Sequence, residues 1–200
     1  MTRNHSVAFF DTQFQKQVGT GDFALNPFEL AVLPHLSGRV LDLGCGLGNL
    51  SIAAARRGAD VVAIDASPTA IAHVGRVAAA ENLALKGIRA DLAEYRLDGQ
   101  FDAIAAIGLL MFFDQARALQ LLDDIQQHVR PGGRAAINVL IEGTSFLGMF
   151  QPDHYYLFGR DELERRFAGW TVLELTHQTF PAPGDTEKAF ATIVAQKPGQ

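Results

Sequence analysis

Val40-Leu41-Asp42-Leu43-Gly44-Cys45-Gly46-Leu47-Gly48 decides the fold of this chain. An apolar run of the kind that forms a buried strand breaks into three glycines spaced G-x-G-x-G, and a helical pattern follows at once. Glycine is needed where a backbone turns this tightly against a ligand. The spacing departs from the G-x-G-x-x-G of dinucleotide-binding loops. Asp42, two residues before the first glycine, puts a carboxylate where a pyrophosphate would be repelled. The loop suits a ligand that carries positive charge.

Outward from this loop, strand and helix patterns alternate. On the N-terminal side, Val7 to Val18 and Pro27 to Leu36 read as helices, the second with Pro27 at its first position after Asn26. The loop strand is Arg39 to Leu43. Beyond the loop, Leu50 to Arg57 reads as a helix ended by Gly58, and Asp60 to Asp65 as a fully buried strand. Ser67-Pro68 starts a helix running to about Ala80, and Gly87 to Ala90 is a short strand before Asp91. Phe101 to Ile107 is apolar on both faces. Asp114 caps a helix with Ala118, Leu122, Ile125 and Val129 on one side, ended by Pro131-Gly132-Gly133 before a strand at Arg134 to Leu140. After an irregular stretch come a helix near Asp161 to Ala168 and two strands, Thr171 to His177 and Ala189 to Gln196. Their short Pro-Gly link requires antiparallel pairing. The expected architecture is a Rossmann-like, doubly wound α/β domain. It has a seven-stranded, mostly parallel sheet with an antiparallel last strand and helices on both faces.

Composition narrows the function. The 200 residues are 48% apolar and 20% charged, which suits one domain over 1–200, with no repeat or linker to mark a second. A net charge of -5 gives no electrostatic footprint for nucleic acid, and no apolar run approaches the roughly 20 residues of a membrane span. Cys45 is the only cysteine, so no internal disulfide forms and no multi-cysteine zinc site is available; no metal site is expected. With no signal-peptide core at the N-terminus, the reading is a cytoplasmic protein, a monomer or homodimer, with no nucleic-acid or membrane partner.

Three acids stand at the C-terminal ends of three successive strands: Asp42, Asp65 and Asp91. Singly, such residues often cap helices or turns. Together with the glycines they form a binding edge, because open parallel sheets take their ligands there. Asp65 follows the loop at the spacing where a carboxylate accepts both hydroxyls of a ribose, and Asp91 is placed to accept an adenine amino group.

On these motifs the chain resembles the class I S-adenosylmethionine-dependent methyltransferases over essentially its whole length. The resemblance implies S-adenosyl-L-methionine as cofactor. Its loop would be Asp42, Gly44, Cys45, Gly46 and Gly48, its ribose and adenine contacts Asp65, Ala66, Ser67, Asp91 and Leu92, and its methyl-donor side Ile107 within Ala106-Ile107-Gly108. The second half is similar to the tellurite-resistance methyltransferase family, through Leu110-Met111-Phe112-Phe113, Arg160-Asp161-Glu162-Leu163 to Phe167-Ala168-Gly169-Trp170, and Phe190-Ala191-Thr192. That family methylates oxyanions or organic forms of tellurium and selenium. Its histidine-arginine pair before the final strand is matched here by His177 but then Gln178, and Asp185 stands where a second basic residue belongs. Loss of these cations does not fit an oxyanion site.

The implied activity is methyl transfer to a small-molecule acceptor by in-line displacement, with a chalcogen oxyanion or thiol as one substrate class and O- or N-methylation as another. A nicotinamide-dependent oxidoreductase is weakened by the glycine spacing. An amino-methylating nucleic-acid enzyme is weakened by Gly108-Leu109-Leu110-Met111 standing where such enzymes carry an Asn-Pro-Pro-Tyr segment. A non-catalytic module that only binds the cofactor is a further alternative.

A fading sulfonium charge favours an aromatic, water-poor pocket. Phe9, Phe10, Phe14, Phe112, Phe113, Phe146, Phe150, Tyr155 and Tyr156 are available for one. Residues 1–37 are expected to lie over the site, and the Gly-rich, aromatic, aperiodic segment 142–159 is a lid candidate. His177 and His154 are the candidate catalytic residues, each able to orient a nucleophile or take a proton. Cys45 has no assigned chemistry; a small side chain is what its position requires.

Overall fold

The computed structural model describes residues 5–199, and its centre is one seven-stranded sheet in the order β3-β2-β1-β4-β5-β7-β6. The strands are β1 (Arg39–Leu43), β2 (Asp60–Asp65), β3 (Leu85–Arg89), β4 (Phe101–Ile107), β5 (Val129–Leu140), β6 (Thr171–Ala182) and β7 (Thr186–Gln196). β1 to β5 are mutually parallel, while β7 runs antiparallel to both of its neighbours, β5 and β6. This is the architecture expected from the sequence.

Alternation along the central strands sends side chains to two cores. Leu41, Leu43, Ile104, Ala135 and Ile137 face one layer, packed under Leu121, Leu122 and Ile125 of α5 (Gln115–His128) and Leu163 of α6 (Glu162–Arg166). Val40, Ala103, Ala105, Ala136 and Val194 face the other. They lie beneath Val32 of α2 (Pro27–Val32) and Leu50, Ala54 and Ala55 of α3 (Asn49–Arg56). Both faces of β1 and β4 are therefore covered, which is why those strands show no polar alternation.

Local chemistry sets the helix boundaries. Ser67 caps α4 (Pro68–Glu81), its Oγ accepting from Ala70 N at 3.0 Å, and Asp114 caps α5 by accepting from Arg117 N at 2.9 Å. Asn26 caps α2 in a reciprocal box: its Oδ1 accepts from Phe28 N and Glu29 N, and Glu29 Oε2 accepts from Asn26 N at 2.8 Å. α2 stops at Val32, short of the expected Leu36. Pro34 carries no N–H to continue the α-helical bonding, so residues 33–35 tighten into a 3-10 turn.

The other boundary differences share one cause. β5 begins at Val129 because Pro131-Gly132-Gly133 forms a shift in register inside the strand, between the Phe101–Val129 and Ala103–Arg134 pairs. β6 and β7 run past the sheet body as a long hairpin, paired as far as Ala182–Thr186, closed by Gly184 and Asp185 at φ 74° and 53°. Inter-strand pairing extended these strands where local composition did not.

Candidate functional site

A cavity of about 380 Å³ opens at the C-terminal ends of β1, β2 and β4. The glycine loop forms its floor. Gly44 N and Cys45 N both donate to Ile64 O, at 2.8 and 3.0 Å, which ties the loop to the end of β2 next to Asp65. Gly44 has φ 67°, and a Cβ there would stand 2.7 Å from Leu109 Cδ1. Gly46 has φ 53°, and its Cβ would press on the Phe14 ring at 3.1 Å. These glycines let the backbone itself line the cavity.

Asp65 is the best-anchored acid. Its Oδ2 accepts from Gly46 N at 2.9 Å and its Oδ1 from Ser67 N at 2.8 Å, so each oxygen keeps a lone pair for a hydroxyl in the cavity. Burial pushes its carboxyl above the usual range, and the Ser67 and Gly46 amides pull against that. Asp91 also lines the cavity, with Oδ1 accepting from Ala93 N at 2.9 Å.

Gly44, Cys45, Gly46, Asp65, Ala66, Ser67, Asp91, Leu92 and Ile107 all line the cavity. Two other residues read as cofactor contacts do not. Asp42 is only 3% exposed and accepts the Ser51 hydroxyl at 2.5 Å beneath the loop; burial raises its pKa to about 7. Gly48 starts α3 and abuts Val74, not the cavity. Cys45 is buried, and burial raises its thiol well above the ordinary value, which leaves it a poor nucleophile.

The histidines require a larger correction. His177 sits on β6, the outermost strand, with Nε2 bonded to Arg160 O at 2.9 Å. His154 is exposed in a turn where its backbone N donates to Gln151 O. Neither lines the cavity; for His177, insertion of β7 between β5 and β6 carries β6 to the far edge of the sheet. The segment 142–159 does not line it either. Phe146, Phe150 and Tyr155 pack with Met111 and Leu140 in a separate cluster, which touches the cavity wall through Phe112 at 5.1 Å between ring centroids. Tyr156 donates to Glu162 Oε2, and Phe9 points outward, 36% exposed.

α1 (His5–Thr20) closes the cavity from above. Val7, Phe10, Phe14 and Gln17 form a stripe along one face of it and line the space. Two contacts hold it. Phe10 meets Phe112 edge-on at 5.1 Å, and Asp11 accepts the Ser67 hydroxyl and, at 3.4 Å, Thr69 N at the start of α4. The Ser67 hydroxyl keeps the Asp11 carboxyl below the usual range. Asp11→Ala is expected to loosen this closure and weaken S-adenosylhomocysteine binding by about two- to tenfold, measured by calorimetry.

Glu29 and Asn49 went unread as site residues. Both line the cavity. The spelling Asn26-Pro27-Phe28-Glu29 carried a signal, since it is a capping box, but such a box announces a helix start and not the direction its glutamate faces. Asn49 lies one residue past the last glycine of the loop.

Residues 40–133 match the model of a methyltransferase domain. The matched segment runs from β1 to the turn within β5 and includes the glycine loop, Asp65 and Asp91. The chain is 32% identical over 170 residues to a protein named hemagglutinin 1 from Eikenella corrodens, covering 80% of this chain and 55% of that protein. It is 26% identical over 166 residues to a probable S-adenosyl-L-methionine-dependent methyltransferase, TehB, of Haemophilus influenzae, covering 80% and 57%. The crystal structure of TehB from Haemophilus influenzae superposes with a TM-score of 0.76 at 22% identity, over 90% of this chain and 65% of that one. The chain thus spans between 55% and 65% of the length of these relatives.

The cavity fits the cofactor that a methyltransferase domain implies. The cavity lies in the size range of small-molecule sites. The glycines leave a cradle that a Cβ would fill, and Asp65 and Asp91 bring carboxylate acceptors to the cavity wall. Among the described residues there is no cluster of three or more His, Cys, Asp or Glu able to hold a metal, and no helix long and apolar enough to cross a membrane.

Proposed function

We propose that this chain transfers a methyl group from S-adenosyl-L-methionine to a small, uncharged acceptor by in-line displacement. The observation that supports it is the convergence of the glycine loop, Asp65 and Asp91 on a cavity that Phe10, Phe14, Leu109, Phe112 and Phe113 also line. When bound, the cofactor supplies an electrophilic methyl group on a sulfonium. The chain's own part is placement and exclusion of water. Asp65 holds the ribose and Asp91 the adenine, which fixes where the methyl group stands, and orientation of this kind contributes roughly 7 to 11 kcal/mol. Phe10, Phe112 and Phe113 keep water from the reacting centre and present ring faces that tolerate a positive charge.

The described lining residues include the carboxylates of Glu29, Asp65 and Asp91 and no Lys, Arg or His. That balance favours a neutral nucleophile, a thiol or an organic chalcogen compound, over tellurite or selenite, whose charge calls for cations. The test is release of S-adenosylhomocysteine with thiols, phenols and amines beside tellurite and selenite. Neutral thiols are expected to turn over at least about tenfold faster than the oxyanions, a difference of about 1.4 kcal/mol in barrier. The opposite order would overturn the acceptor assignment. Cofactor binding with no demethylated product from any acceptor would instead favour a non-catalytic module.

A further inference from the structure

We propose that Arg117 of α5 is a positioning residue for base selection: it lies outside the cofactor cavity, and its guanidinium fixes the Asp91 carboxylate through the peptide group that follows Leu92. This rests on the placement of the adenine at Asp91 proposed above.

Asp91 and Leu92 line the cavity from a turn that has already left the sheet. β3 stops at Arg89, and Ala90 N makes the last bond to β2, donating to Asp65 O at 3.0 Å. The turn then closes on itself: Ala93 N donates to Asp91 Oδ1 at 2.9 Å, and Glu94 N and Tyr95 N both donate to Asp91 O. Bonds of this kind set its shape but not its place. Leu92 and Leu97 share a core layer with Leu121 and Leu122 of α5, a contact without direction. Arg117 supplies the direction. Its Nε and Nη2 donate to Leu92 O at 3.1 and 2.7 Å, and Nη2 also donates to Tyr95 O at 2.8 Å. Among the described residues, no other group from outside the turn bonds to the backbone of residues 91–95.

The carbonyl that Arg117 grips and the N–H that holds the Asp91 carboxylate belong to one peptide group, Leu92 C=O and Ala93 N–H. That group is planar, so fixing its oxygen fixes its N–H and the carboxylate bonded to it. The guanidinium is held from behind as well. Nη1 donates to Gln120 Oε1 at 3.0 Å and stands 3.9 Å from Asp124 Oδ2, both on the face of α5 that carries Arg117. All three of its nitrogens are engaged, and the side chain is only 15% exposed. A rigid fork of donors transmits an orientation, which the point charge of a lysine on its flexible stem does not.

The consequence is selectivity for the base. A carboxylate accepts from the 6-amino group of adenine and repels the 6-oxo group of hypoxanthine, but only a carboxylate that cannot turn away enforces the difference.

Calorimetry with S-adenosylhomocysteine and its hypoxanthine counterpart, S-inosylhomocysteine, tests this without turnover. Wild-type protein is expected to bind the adenine compound at least about tenfold more tightly. In Arg117→Lys, which keeps the charge, and Arg117→Met, which keeps the stem, affinity for S-adenosylhomocysteine should fall about tenfold while that for the hypoxanthine compound stays within about twofold. Asp91→Ala should erase the preference too. A preference kept in both Arg117 variants, or equal losses for the two compounds, would overturn the role of Arg117 even if Asp91→Ala behaves as expected. A wild-type protein without preference, or a preference that survives Asp91→Ala, would overturn the placement of the adenine at Asp91 and the role of Arg117 with it.

Discussion

Replacing Asp65 with alanine is expected to weaken S-adenosylhomocysteine binding by at least about a hundredfold, with the fold retained. In the proposed site the carboxylate accepts two charge-assisted hydrogen bonds from a ribose, each worth about 1.5 to 3 kcal/mol, and their sum exceeds two decades in affinity. It also organises the loop by accepting from Gly46 N and Ser67 N. Stability should change much less, because burial disfavours charge on this carboxyl and the substitution removes that cost. Calorimetry and urea unfolding together separate the two effects. Unchanged affinity would show that the ribose lies elsewhere.

Asp42→Asn is expected to stabilise the ligand-free protein above neutral pH. Burial, opposed in part by the Ser51 hydroxyl, raises the folded-state pKa of Asp42 from 3.8 to about 7, and the charges of Glu29 and Asp65 add to the rise. Between those two values the folded state binds more protons than the unfolded chain. Stability therefore falls as pH rises through that window and levels off above it. The slope from one such group is at most about 1.4 kcal/mol per pH unit. Asparagine carries no charge, and its Oδ1 can still accept the Ser51 hydroxyl. The variant should gain on the order of 2 to 4 kcal/mol at pH 8 and close to nothing at pH 4. The shallower slope that remains comes from Glu29 and Asp65, which burial also raises. Parallel urea-unfolding curves at pH 5 and pH 8 for the two proteins would refute this.

The legible part of the molecule was the part governed by local rules. Strand β1, the glycine loop, the caps at Ser67 and Asp114 and the unbroken apolar run of β4 each depend on residues adjacent in sequence, and the structure has them where the pattern puts them. Asp65 and Asp91 were readable because a parallel sheet brings successive strand ends to one edge. His177 was misplaced because its position depends on which strands neighbour which. A histidine near the end of a late strand looks close to the site until β7 separates β6 from β5. Asp42 was misdirected by a matter of facing: it stands on β1 just before the loop, and its carboxylate is buried against Ser51. Glu29 stayed hidden because its capping role already accounted for it, and only the folded structure shows that it also lines the cavity.

The position of β7 also governs the order in which this molecule can be completed. β5 is bonded along one side to β4 and along the other to residues 190–196, while β6, made earlier, has no partner except β7. On the ribosome, a chain ending before Thr186 holds β5 with an open hydrogen-bonding edge in the middle of what will become the sheet, and β6 with nothing to pair to. Synthesis and assembly therefore cannot keep pace with one another. The strand that joins the two parts of the sheet is the last of the seven in chain order, and until it inserts, the β5 edge is open to pairing with another strand.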